Sequence, residues 1–236
     1  MTPIWARTMS KLLKLVEHLE SIPQKERHAN IVGALVILCR SVEEGTASLK
    51  DIASAARNAS TIIGRDELAA VKSAIGKTVR PARKLRKAIE RRPEEALSPR
   101  ADEVMTIVNE QVRSSKKALN DKWRVFVDGT KRDYGALASV GREARLTGAA
   151  NLAFALQAFE TATNALPTTA VSAQKVRDRL DGLKGAVRDL GLEGDVGVFM
   201  VAAAEGRADP QDLFKPSVKA FLDSRPEVWR LLKIKL

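Results

Sequence analysis

One cysteine, two histidines and one tyrosine in 236 residues leave this chain few of the side chains that usually carry chemistry. A lone Cys39 excludes an internal disulfide, and with only His18 and His28 beside it no Cys/His metal site is expected. Cys39 ends an apolar block and reads as a small core hydrophobe. His18 lies beside Glu17 and near Glu20, and His28 follows Glu26, but neither has a sequence partner that would hold it as a general acid or base. Ser/His/Asp, HExxH and paired-carboxylate patterns are missing as well. No catalytic residue, metal or cofactor is therefore expected, and the chain is read as not an enzyme. Aromatics make up only 4 %, which removes the interleaved rings that stacked recognition of single-stranded nucleic acid requires.

Long apolar runs are also absent. The longest, such as Ile31 to Cys39, fall far short of the roughly 20 residues of a membrane span. The opening MTPIWARTMSKLLKLVEHLE has basic residues without a continuous apolar core, so it is not read as a secretory signal. Together these features predict a soluble, cytoplasmic protein. Two partial motifs fail on spacing. Gly76-Lys77-Thr78 ends like a phosphate loop, but the glycine required five residues earlier is Val71. Gly191, Gly194 and Gly197 do not match the dinucleotide fingerprint and read as a break between two helices.

What the chain has is helix-forming residues, and the expected class is all-α. The organising stretch is 101–128, ADEVMTIVNEQVRSSKKALNDKWRVFVD, with no internal Gly or Pro. Met105, Val112, Leu119 and Phe126 recur every seven residues on one face, and Val108 continues it at the alternate position. Ser115 and Lys122 interrupt that face, which suggests that part of it meets water or a second chain. Gly129 is expected to end this helix, with a weaker one over 134–145. The predicted architecture is a multi-helix assembly with a long antiparallel, coiled-coil-like helical pair and a C-terminal cluster of short helices.

Around this spine, Met9 to Leu19 is an amphipathic helix ended by Pro23. Residues 24–44 form a second helix, closed by Gly45. Its block IVGALVILC is apolar at eight of nine positions, which predicts burial on several sides. Residues 49–63 are a third helix, ended by Gly64. Residues 66–92 are helical with a kink at Pro81, and Pro93 to Pro99 is a candidate hinge. The uncharged stretch Leu146 to Phe159 reads as the central core helix. Ser172 caps the next helix, where Val176, Leu180, Leu183, Val187 and Leu190 step 4-3-4-3 and place Leu180 and Leu183 in the core. From Gly191 onward the pieces are short, with prolines in first turns at 210, 216 and 226. Two regions result: 1–95, ending in a basic helix, and 100–236, with 191–236 as a short-helix subregion. One continuous domain is the other arrangement.

Charge is the remaining signal. Lys plus Arg number 40 against 29 acids, a net +11 that attracts polyanions or an acidic protein face. Residues 72–92 hold nine basic side chains and one acid, Glu90. Lys77, Arg80, Arg83, Lys84, Lys87 and Arg91, with Arg113, Lys117 and Arg124 on the spine, are the candidate contacts for nucleic acid or an acidic partner. Leu119, Trp123 and Phe126 are the candidate protein interface. The first functional reading is a non-catalytic accessory subunit of a bacterial complex that docks a protein partner or a second copy. The alternative is sequence-independent phosphate contact with nucleic acid, and the third is a small enzyme or toxin with a dispersed site.

Overall fold

The computed structural model describes residues 25–77, 84, 87 and 99–231, and the protein is all-helical, with no strand among the described residues. The expected first helix, the Pro81 kink, the 93–98 part of the hinge and the 233–236 tail lie outside them. Five α-helices lead the described architecture: α1 Lys25–Ile63, α2 Pro99–Glu143, α3 Ala149–Thr163, α4 Ala170–Asp189 and α5 Gly194–Ala204. A 3₁₀ segment Pro210–Phe214, the short helix α6 Pro216–Asp223 and a second 3₁₀ segment Pro226–Leu231 follow. Residues 69–77 are helical too.

Two expected breaks do not occur. Gly45 does not end a helix, because α1 runs through it for 39 residues. Gly129 does not end the spine, because α2 runs for 45 residues through Gly129, Gly135 and Gly141. An interior glycine costs a helix roughly 0.5–1 kcal/mol, which packing along a buried stripe can offset. On α1 that stripe is Leu35, Leu38, Gly45, Leu49, Ile52, Ala56 and Ala59, spaced in threes and fours with half-buried Val42 filling the gap. A Cβ built on Gly45 would meet Val108 Cγ1 at 3.5 Å and Met105 Cε at 3.9 Å, so this glycine faces α2. Gly64 does end α1, at φ 97°, the left-handed conformation of a helix-terminating glycine.

The described chain forms two compact units. Residues up to Ala56 with Asp66–Leu119 make the first, and Arg57–Arg65 with Asn120 onward make the second. In the first unit Leu68, Val71 and Ile75 are buried, as are Met105, Val108 and Leu119 of α2. Ser115 is buried with them at 1 % exposure, and its Oγ has no hydrogen-bond partner among the described residues. It therefore does not face water as its polarity suggested, whereas Lys122 is exposed. The IVGALVILC block is not buried on several sides. Leu35 and Leu38 are inside, but Val36 is 57 % and Ile37 68 % exposed.

In the second unit α3 packs against α4. The Trp123 indole N–H donates to the Thr163 carbonyl at 3.3 Å, and Phe126 meets Phe159 edge-on with centroids 6.3 Å apart. Thr169, not Ser172, caps α4: its hydroxyl accepts from the Ser172 N–H at 3.1 Å, while the Ser172 hydroxyl accepts from the Thr169 N–H at 3.1 Å. Leu183, Val176 and Val187 are buried and Leu180 is half-buried. The Arg225 guanidinium donates to the Leu190 carbonyl and lies 4.7 Å from the Phe221 ring centroid, fixing the chain after α6 to the end of α4. Lys215 bridges Asp195 of α5 at 3.2 Å and Asp212 at 3.0 Å.

Two outcomes follow from this packing. Leu183→Ala should cost about 2–5 kcal/mol and Leu180→Ala distinctly less, read as shifts in denaturant midpoint at constant slope. At Gly129 an added Cβ meets no heavy atom of the described residues within 4 Å beyond its own helix backbone, so Gly129→Ala should stabilise the protein by about 0.4–1 kcal/mol. A loss of stability there would mean that α2 breaks at 129 after all.

Candidate functional site

The predicted contact residues separate by position. Lys77 is exposed on the helix of residues 69–77, and Lys84 and Lys87 are helical and exposed. Arg80, Arg83 and Arg91 lie outside the described residues. Arg113 and Lys117 are exposed one turn apart on α2. Among the described residues, none of Lys77, Lys84, Lys87, Arg113 and Lys117 has an ion-pair partner. Arg124 is exposed but is held by Asp128 at 3.4 Å, and the next cation of that series, Lys131, reaches Glu160 of α3 at 3.9 Å. The basic series on α2 is thus unpaired at its start and paired further along. Gly76 and Lys77 belong to a helix, so they form no phosphate loop.

The predicted interface cluster turns inward. Leu119 is 1 % and Trp123 5 % exposed, and Phe126 is half-buried against Phe159. These side chains serve the chain's own core and leave little surface for a partner. Large apolar groups that do reach the surface include Val36 and Ile37 on α1, Val125 on α2, Phe154 on α3, and Phe214 in the first 3₁₀ segment. Sequence periodicity missed Val36 and Ile37 because an unbroken apolar run does not say which residues lie off the buried stripe.

The second unit also contains an open groove of about 660 Å³. Leu137 of α2, Val187 of α4, Leu192 of the turn after α4 and Val201 of α5 supply its apolar floor, while Asp133, Tyr134, Lys184, Glu193 and Arg207 bring charge and a phenol to its edge. Its shape depends on the turn between α4 and α5. Gly191 and Gly194 adopt φ 71° and 56°, conformations a side chain would strain. Gly197 comes so close to the chain that an added Cβ would sit 2.3 Å from the Leu192 carbonyl oxygen. Of the three glycines that the sequence marks as a helix break, Gly194 and Gly197 line the groove, while Gly191 faces Phe221. No motif marks Asp133, Tyr134 or Glu193; only the fold joins α2 to that turn.

Among the described residues no group of His, Cys, Asp and Glu is arranged to hold a metal ion, and no helix is long and apolar enough to cross a membrane. Comparison with protein-family models, with curated proteins and with solved structures returned no match.

Tyr134 is the chain's sole tyrosine, which makes its ionisation directly visible. Burial pushes its phenol above the ordinary 10.0, and the carboxylates of Asp133 and Glu193 push it the same way. The folded phenol holds its proton where the unfolded one has lost it, so this group's contribution to stability falls as pH rises above about 10. Absorbance titration of tyrosinate should show a midpoint above that of free tyrosine, and Glu193→Gln should lower it. An ordinary midpoint, unchanged in the variant, would place Glu193 away from the phenol.

Proposed function

We propose that this chain is a non-catalytic, cytoplasmic accessory subunit of a bacterial complex, docking a protein partner or a second copy through its helical faces. The observation that carries this reading is the two-sided apolar character of α1. Leu35 and Leu38 are buried, while Val36 and Ile37 between them are exposed and bordered by the Arg40–Glu44 ion pair at 3.1 Å. Apolar side chains exposed side by side with a charged border offer a partner a point of apolar contact. In this reading the basic helix that follows Gly64 and α2 make an antiparallel, coiled-coil-like pair, and the short C-terminal helices brace the second unit.

The alternative, sequence-independent contact with nucleic acid, draws on a separate observation. Lys77, Lys84, Lys87, Arg113 and Lys117 are exposed and unpaired among the described residues. Phosphate contact through such cations supplies affinity without reading bases.

One set of variants separates the two readings. Val36→Lys with Ile37→Glu should leave circular dichroism unchanged and abolish stoichiometric co-purification or self-association measured by sedimentation. Lys84→Glu with Lys87→Glu should leave that association intact. A parent protein that sediments as a strict monomer and recovers no stoichiometric partner overturns the first reading. Steeply salt-dependent duplex binding, with a slope lowered by about one unit per lost contact in the charge-reversed protein, establishes the second.

A further inference from the structure

With α1 as the docking helix, the reading on which this step rests, the charge on its exposed face decides between another protein and a second copy. Residues 33–51 carry Arg40 and Lys50 against Glu43, Glu44 and Asp51, all exposed. In a chain of net +11 this face is close to neutral, with both signs interspersed. A strongly charged partner gains little from such a face. A surface of mixed sign fits a copy of itself where symmetry sets each cation against an anion.

Reversing α1 about a two-fold axis level with Val42 does this. Arg40 and Glu44 lie two residues either side of that point, about 3 Å each way along the helix. Arg40 of one copy then stands level with Glu44 of the other, and symmetry makes the same pair twice. Within one copy these side chains meet at 3.1 Å and are largely exposed, so both can turn to the second copy. The same register sets the exposed Val36 beside Ala47 of the second copy, and Ile37 against the stem of its Glu44. Gly33 and Ala34 are exposed as well, and a Cβ on Gly33 would meet no heavy atom of the described residues within 4 Å beyond its own helix backbone. Small residues there let two helices come close. An axis level with Val36 and Ile37 would set those two against their copies but leave Arg40 opposite Gly33, with no acid of the second copy to meet it.

We propose that α1 is a homodimer interface: two copies pair antiparallel through Val36, Ile37 and Ala47, with Arg40 of each bonded to Glu44 of the other. One helix face is smaller than the roughly 800 Å² per partner of a standard interface, so the dimer is reversible. The net +11 of each copy opposes it at long range, and salt near about 0.15 M, with a screening length of about 8 Å, removes most of that repulsion.

Sedimentation of the full chain at that salt, with charge exchange between variants, tests the arrangement. The parent should show a concentration-dependent monomer–dimer equilibrium. Arg40→Glu alone and Glu44→Arg alone each bring like charges together at both symmetric contacts, and each should weaken dimerisation about tenfold or more. An equimolar mixture of the two single variants should recover parent-like dimers, because each supplies the charge the other lacks. The double exchange Arg40→Glu with Glu44→Arg should recover them too. Local damage to α1 would not be reversed by mixing. Circular dichroism confirms folding, and a single variant that fails to fold is replaced by Ala47→Glu, which should weaken the dimer without touching the ion pair. A mixture that dimerises no better than its components overturns the proposal, as does a dimer indifferent to both reversals. A monomeric parent that retains a different protein in stoichiometric amount through Val36 and Ile37 overturns it and leaves the docking reading standing. A monomer without such a partner overturns both.

Discussion

A helix that runs through glycine has to be held by what it packs against, and both long helices of this protein do so. Gly45 lies inside α1, and Gly129, Gly135 and Gly141 lie inside α2. Each position weakens the isolated helix, and no cap or turn accounts for it. Two of them sit where a neighbour comes close. Gly45 faces Val108, and a Cβ on Gly141 would meet the Ala149 Cβ at 3.5 Å and Leu190 Cδ1 at 3.7 Å. Gly129 has open space around it, so its continuity comes from the buried residues on either side, Trp123, Val127, Ala138 and Val140. Tertiary burial, not local preference, sets the length of these helices.

That is why the sequence conveyed the fold class and several helix ends but divided two long helices into four. Composition and period marked helix correctly, and Gly64, Pro99, Gly206 and Pro216 stand at real boundaries. Each of these is a glycine with positive φ or a proline in a first turn, a local effect that needs no knowledge of the partner. Gly45 and Gly129 looked alike in sequence because the difference lies in whether a neighbouring helix covers the residue. The same limit governs the surfaces. The exposed cations at 77, 84, 87, 113 and 117 were legible because charge seeks water wherever it occurs along a helix. The groove was not, since Asp133 and Glu193 are sixty residues apart and meet only through the α4–α5 turn.

Ser115 shows what the buried stripe tolerates. Its neighbours on the seam, Met105, Val108 and Leu119, are apolar and buried, yet its hydroxyl is enclosed without a partner among the described residues. Such a group costs about 1–3 kcal/mol relative to a satisfied one. A polar residue on an apolar seam does not pair well with an apolar position if the helices slide by a turn, so it can fix register at the expense of stability. Its polarity therefore argues about alignment inside the first unit and not about exposure to water.

The seam on α2 also changes its step where the two units divide. Met105, Val108, Val112, Ser115 and Leu119 advance in threes and fours, the seven-residue spacing of helices that wind around a neighbour. From Leu119 the next buried positions are Trp123 and Val127, two successive steps of four. A four-residue insertion into a seven-residue pattern relaxes the winding toward that of a straight helix. It also turns the buried face, which leaves Lys122 outside and brings Trp123 inside to donate to the Thr163 carbonyl. Past Leu119 the fully buried positions thus leave the heptad read from the sequence, whose Phe126 is half-buried against Phe159. There the helix follows a different neighbour, α3, and the large apolar group at 123 that looked available for another protein is what secures that contact.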